Sequence, residues 1–216
     1  MNPNLENNPT PFKGEVFRKL IHYSSAVIPV GYLFLDKFTV LSILVVLLFF
    51  MIVFEFLKYR NDTFYRFYLK YFRDMLREHE YDRFKFRING ASWVILSSIF
   101  CILLFPKLIA VTGLLMLSFA DSSSALFGRI FGRKQYAPNR SYVGTAVFFV
   151  VGLLIALLTP KYFGGLKEYL IGFVMVIVTT IADGMSLPVD DNFTIPVVSC
   201  SVMYVLYMLL FPGIIF

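Results

Sequence analysis

Apolar residues in this chain fall in long blocks separated by short polar, Pro- or Gly-bearing stretches. Blocks without period-two alternation predict helices that are apolar all round, as in a bilayer span. Seven spans are predicted, at residues 21–35, 38–57, 91–105, 108–127, 143–158, 169–187 and 196–215. Pro106-Lys107 separates the third from the fourth. The first, third and fifth are short for a hydrocarbon layer about 30 Å thick and call for tilt or local thinning. The fold class expected is all-α, a polytopic transmembrane helix bundle. Residues 1–12, polar and carrying Asn and Pro, read as a flexible N-terminal segment, and 13–216 as a single integral membrane domain.

Between spans two and three the pattern changes. Phe64, Phe67, Tyr68, Tyr71, Phe72, Met75 and Leu76 recur at three- and four-residue steps, while Arg66, Lys70, Arg73, Asp74 and Arg77 fall largely elsewhere. This predicts an amphipathic helix, either lying at the lipid surface with its aromatic face down or packed on the bundle.

Composition excludes an ordinary soluble domain, with 58% apolar and 16% charged residues. The net charge of +6 fits loops facing anionic lipid and phosphate ligands better than a nucleic-acid partner. Sixteen Lys and Arg lie in the N-terminal segment, the 58–90 loop and the stretch after Phe127; only Lys37, Lys107, Lys161 and Lys167 lie in the alternate connections. The bias predicts a cytoplasmic N-terminus and a C-terminus on the far side. Lys13, Arg18 and Lys19 precede an apolar block, as in a signal peptide, but no small-x-small cleavage site follows before Asp36, so a permanent first span is expected. Cys101 and Cys200 sit in apolar runs and read as small core residues.

The segment from Ala120 to Thr145 carries the most chemistry. Asp121 falls about six residues inside span four, roughly 9 Å along the axis. A lone carboxylate there is costly unless a cation or a proton accompanies it. On a continuing helix Asp121, Ser124, Gly128 and Gly132 share one face, either a small-residue packing seam or a surface for a ligand. Beyond it Arg129, Arg133, Lys134 and Arg140 alternate with Gly128, Gly132 and Gly144 and with Ser141 and Thr145. As membrane anchors these cations need no further role. With the glycines and the start of span five they could equally cradle phosphate.

Two further clusters fall on the same predicted side. Glu15, Arg18, Lys19 and His22 form one helical face at the entrance to span one, an interfacial anchor or a phosphate and proton-transfer group. Asp183, Asp190 and Asp191 have no Lys or Arg near them in sequence, which suggests metal ligation or hydroxyl activation, with a solvated loop as the alternative for Asp190. Glu55 near Lys58 reads as a snorkelling ion pair.

Taken together, these motifs resemble the CTP-dependent lipid kinases, the group of dolichol kinase, phytol kinase and yeast-type diacylglycerol kinase. The matching parts are Glu15-x-x-Arg18-Lys19-x-x-His22, Asp121-x-x-x-Ala125-x-x-Gly128-Arg129-x-x-Gly132, Ser141-x-x-Gly144-Thr145, and Asp191-Asn192-x-Thr194-x-Pro196. The resemblance implies transfer of the γ-phosphoryl group of CTP to the hydroxyl of a lipid alcohol such as a polyprenol, dolichol, phytol or diacylglycerol, with Mg²⁺ or another divalent cation. By position it implies function for Arg18, Lys19, Asp121 and Gly128. Arg140 stands where the family usually has Lys, and Val143 where it commonly has Glu. The first keeps the charge; the second removes a possible metal or ribose contact.

The roles expected are then Asp121 and Asp183 on the metal and Asp191, Asp183 or His22 at the lipid hydroxyl. Arg18, Lys19, Gly128, Arg129, Gly132, Arg133, Arg140, Ser141, Gly144, Thr145 and Asn192 would hold the nucleotide. The active side would be cytoplasmic, in a bacterial or archaeal plasma membrane or the endoplasmic reticulum. Phosphatidate cytidylyltransferases share a similar Gly-Arg and Ser-x-x-Gly-Thr region, but their long C-terminal signature is missing here. An ion-coupled transporter using Asp121 and Asp183 is a third reading, with no internal repeat to support it.

Overall fold

A computed structural model describes residues 12–72, 89–137, 140–185 and 189–213. Within them the chain is helical: α1 (Phe12–Ser24), α2 (Val27–Phe34), α3 (Lys37–Arg60), α4 (Asp62–Phe72), α5 (Gly90–Leu104), α6 (Lys107–Leu115), a π-helical turn (Met116–Asp121), α7 (Ser122–Phe131), α8 (Tyr142–Leu158), α9 (Leu166–Gly184) and α10 (Asp191–Leu210). The all-α expectation holds, with one short hairpin beside the helices. Strands β1 (Gln135–Ala137) and β2 (Arg140–Ser141) pair antiparallel between α7 and α8.

Local chemistry sets the boundaries. Asp36, Asn89, Ser141 and Asp190 cap α3, α5, α8 and α10 by accepting from the backbone N–H of Thr39, Ser92, Gly144 and Asn192. Pro106 and Pro160 follow the ends of α5 and α8, where they bias the preceding residue away from helix. The single first span expected over 21–35 is instead two helices. Pro29 has no N–H for the Ser25 carbonyl and its ring crowds that carbonyl. Ile28 N–H bonds Ser25 O at 3.0 Å instead, and the chain turns at Ser25–Ala26.

Three helical stretches are long and apolar enough to cross a membrane: Lys37–Arg60, Lys107–Phe131 and Asp191–Leu210, of 24, 25 and 20 residues. Seven such helices are not found among the described residues. Gly90–Leu104 and Tyr142–Leu158 are apolar but only 15 and 17 residues long. The last span expected at 196–215 begins earlier, at Asp191, and carries Pro196 inside the helix. The α6–π–α7 rod lies at the centre, with 78% of its apolar window buried, and α2, α3, α5, α8, α9 and α10 contribute to the core around it.

Polar groups gather at two rims. At one, Lys37 Nζ donates to Leu103 O and Lys107 Nζ to Leu35 O, while the Glu168 carboxylate accepts from the N–H groups of Tyr162, Phe163 and Gly164 and from the Tyr207 hydroxyl. The other lies at the far end of α3, about 36 Å away along a 24-residue helix. There Glu55 binds Lys58 and the Asn89 amide, and Asn192 reaches Gly90 O at 3.3 Å. The amphipathic helix expected after span two is present as α4, whose Phe64 and Tyr68 rings pack on Phe54 of α3 while Phe67 and Tyr71 are exposed. Its expected continuation through Met75 and Leu76 lies outside the described residues.

Candidate functional site

Asp121 closes the π turn, which adds a residue to the helical register just before the carboxylate. Such turns recur at functional positions because they re-aim a side chain without ending the helix. Here Asp121 is buried and accepts from Lys19 Nζ of α1 at 2.6 Å. Of the cation or proton expected beside the lone acid, the structure supplies a cation, Lys19 of the first helix. His22, one turn beyond Lys19, is buried and acts electrostatically on Asp121. Arg18 is half-buried, and the Glu15 side chain lies outside the described residues.

Arg140 joins two of the three acids that looked unpaired in the sequence. Its Nη1 donates to Asp183 Oδ1 of α9, and its Nη2 to Asp191 Oδ2 at the start of α10, 2.8 Å away. The planar guanidinium holds its two Nη donors at a fixed spread, which suits two separate carboxylates better than the rotatable point charge of an ammonium. Burial draws the Arg140 pKa down, but Asp183 and Asp191, with a contribution from Asp121, outweigh it and hold the pKa above its usual value. Asp183 is buried and Asp191 is 42% exposed, so the pair opens toward α10. Asp190 is used as a cap.

The glycine strip has a different immediate use. A Cβ on Gly128 would stand 2.9 Å from Ser141 Oγ and 3.1 Å from Gly144 Cα; one on Gly132 would stand 2.3 Å from Ser141 Oγ. Ser141 and the α8 backbone fill the space that the missing side chains leave, so Gly128, Gly132 and Gly144 bring α7 and α8 into contact. That close approach delivers Arg140 to α9. Thr145 returns to Ser141 O at 3.2 Å and pairs with the Tyr136 hydroxyl at 2.8 Å. Asn192 is buried against α5. Arg129, Arg133 and Lys134 are exposed around this rim.

Several participants escaped the sequence reading. Tyr136 reaches from β1 to Thr145 and stands 3.1 Å from where a Cβ on Gly184 would be, so it ties the hairpin to α8 and α9. Tyr23 and Ser25 meet Ser123 and Ser118 at 2.8 and 3.0 Å. The run Ser122-Ser123-Ser124 beside Asp121 was the available signal; the hydroxyl of Ser122 is buried with no hydrogen-bond partner among the described residues. Glu168 was overlooked at the opposite rim.

No group of three or more His, Cys, Asp or Glu is placed to hold a metal among the described residues. Asp121, Asp183 and Asp191 nevertheless supply hard oxygen donors, and Asp121 and Asp183 act on one another electrostatically. Mg²⁺ is commonly held by only one or two carboxylates, with its other positions taken by water and substrate phosphate, so Asp121 and Asp183 are the residues that would hold it.

No family model and no solved structure matches the chain. An uncharacterized protein of Rickettsia prowazekii is 27% identical over 191 residues, covering 88% of this chain and 93% of its own length. CTP-dependent diacylglycerol kinase 1 of Saccharomyces cerevisiae is 27% identical over 212 residues, covering 87% of this chain and 71% of the yeast protein. The enzyme of the same name from Eremothecium gossypii is 28% identical over 138 residues, 54% of this chain and 44% of that protein. The chain is thus similar, over most of its length, to a CTP-dependent lipid kinase.

Proposed function

We propose that this chain is an integral membrane lipid kinase that moves the γ-phosphoryl group of CTP to the hydroxyl of a lipid alcohol. Its N-terminus and active rim would face the cytoplasm. The observation that carries this reading is the meeting of Lys19–Asp121 and Asp183–Arg140–Asp191 at one end of the bundle, drawn from α1, the π turn, β2, α9 and α10. The similarity to CTP-dependent diacylglycerol kinases supports it and makes diacylglycerol the first acceptor to test.

Phosphoryl transfer requires charge neutralisation and in-line placement more than covalent assistance. A divalent cation held by Asp121 and Asp183 would neutralise charge on the phosphates. Lys19 and Arg140, released from their carboxylates, would turn to phosphate oxygens, with Arg18, Arg129 and Arg133 flanking. His22, on the buried face of α1 beside Lys19, would accept the proton of the lipid hydroxyl. The lipid oxygen forms its bond to the γ-phosphorus as the bond to the β–γ bridging oxygen breaks, and CDP leaves.

The direct test incubates purified protein in nanodiscs with γ-labelled CTP, Mg²⁺ and a panel of lipid alcohols. Labelled phospholipid and stoichiometric CDP are expected. Release of pyrophosphate, or no nucleotide turnover with any alcohol, would remove the kinase reading.

A further inference from the structure

Glu55 is a buried acid outside the proposed transfer chemistry. The sequence offers it only Lys58 as a snorkelling partner, yet it is 3% exposed and joins three helices. One carboxylate oxygen accepts from the Asn89 amide at 2.6 Å, and Asn89 is the cap of α5. The other holds Lys58, whose ammonium lies 4.9 Å over the Tyr68 ring of α4. A buried ion pair adds little net stability over an apolar replacement of similar volume, so what it can contribute here is a fixed geometry.

That geometry leads to the proposed phosphate site. Asp191, which takes one arm of the Arg140 fork at 2.8 Å, is the first residue of α10 and 42% exposed, so burial does not hold its side chain in place. The next two residues grip α5. Asn192 Nδ2 donates to Gly90 O at 3.3 Å, and the Phe193 ring meets those of Trp93 at 5.9 Å and Phe100 at 5.3 Å. Gly90 permits this approach, since a Cβ there would stand 3.2 Å from Asn192 Nδ2. The carbonyl that Asn192 binds belongs to the residue after Asn89, which Glu55 holds. Packed side chains and rigid helix ends carry a displacement along such a chain of contacts. At a charge clamp, a misplacement of about 1 Å can cost about a hundredfold in rate.

We propose that Glu55 is a positioning residue of the nucleotide site. Through Asn89 and the start of α5 it sets where Asp191 stands, and with it the direction in which Arg140 meets phosphate. This inference rests on the lipid-kinase reading for its ligand, but the contacts from α3 through α5 to α10 can be probed without nucleotide.

Three variants dissect the chain. Asn89→Ser keeps a cap for α5 and removes the donor to Glu55. Glu55→Leu removes the acceptor, whereas Glu55→Gln keeps an acceptor for Asn89 and removes only the charge. CTP binding in the presence of Mg²⁺ is measured on the full chain in nanodiscs, and amide hydrogen exchange over residues 190–195 is followed without nucleotide. Asn89→Ser and Glu55→Leu should each weaken CTP binding about tenfold and speed that exchange about tenfold, with Glu55→Gln close to the unaltered protein in both. In an Arg140→Lys background, Asn89→Ser should cause no further loss of affinity, because the fork it positions is already gone. Glu168→Gln at the opposite rim is the stability control, with a lower melting temperature and unchanged CTP affinity expected. Normal CTP affinity in Asn89→Ser overturns the positioning role. So does a full further loss on top of Arg140→Lys, equal weakening in Glu168→Gln, or a Glu55→Gln protein as impaired as Glu55→Leu. If the unaltered protein binds no CTP, the lipid-kinase reading falls, and the exchange measurement alone decides whether Glu55 sets the start of α10.

Discussion

Lys19 and Asp121 are 102 positions apart in the chain and meet at 2.6 Å, each side chain only 9% exposed. The contact fastens the first helix to the central rod, and it places a cation and an anion at the centre of the proposed phosphate site. Removing one partner of such a pair strands a buried charge, at about 3–5 kcal/mol. Asp121→Asn should therefore lower thermal stability and abolish phosphoryl transfer. Lys19→Met combined with Asp121→Leu should recover much of the stability but none of the transfer. Thermal unfolding and labelled-lipid formation measured on the same samples separate the two effects, and an active double variant would reduce both residues to packing.

Arg140→Lys preserves charge but not the fork shared by Asp183 and Asp191. The expected outcome is at least a tenfold rise in the KM for CTP, with a smaller loss of stability than Arg140→Ala. Steady-state kinetics across nucleotide concentrations read this directly; an unchanged KM would take Arg140 out of nucleotide binding.

Gly132→Ala tests the contact that delivers Arg140. A Cβ there would stand 2.6 Å from Ser141 Cβ and 2.1 Å from Gly128 O, a clash that backbone must relieve. Overpacking of this kind costs about 1–3 kcal/mol, and the hairpin should shift with it. A fall in melting temperature together with weaker CTP binding is expected; a fall in melting temperature alone would make the glycine purely structural.

Glu168 at the opposite rim should separate stability from activity. Its carboxylate accepts from three backbone N–H groups and from Tyr207. Glu168→Gln replaces one acceptor oxygen with a donor, and unsatisfied buried partners cost about 1–3 kcal/mol. Lower thermal stability with near-normal turnover at permissive temperature is expected. Loss of turnover in a folded sample would show that the far rim communicates with the site.

Much of the helical layout was legible in the chain because apolar blocks and breakers act locally. Asp36, Asn89, Ser141 and Asp190 cap helices through hydrogen bonds two or three residues away, and Pro106 and Pro160 end them. Asp121 was recognisable for the same reason: a carboxylate inside an apolar run is expensive wherever the helix is placed.

Partnerships were not legible in that way. Nothing local assigns Lys19 to Asp121, or one Arg140 guanidinium to both Asp183 and Asp191, since those separations of 102, 43 and 51 positions close only when helices pack. The extra residue in the Met116–Asp121 turn, the break before Pro29 and the glycine contact of α7 with α8 fix which face each side chain presents. Hydrophobic periodicity specifies that a face is buried, while the orientation of charges on it follows from register and close approach between segments distant in sequence.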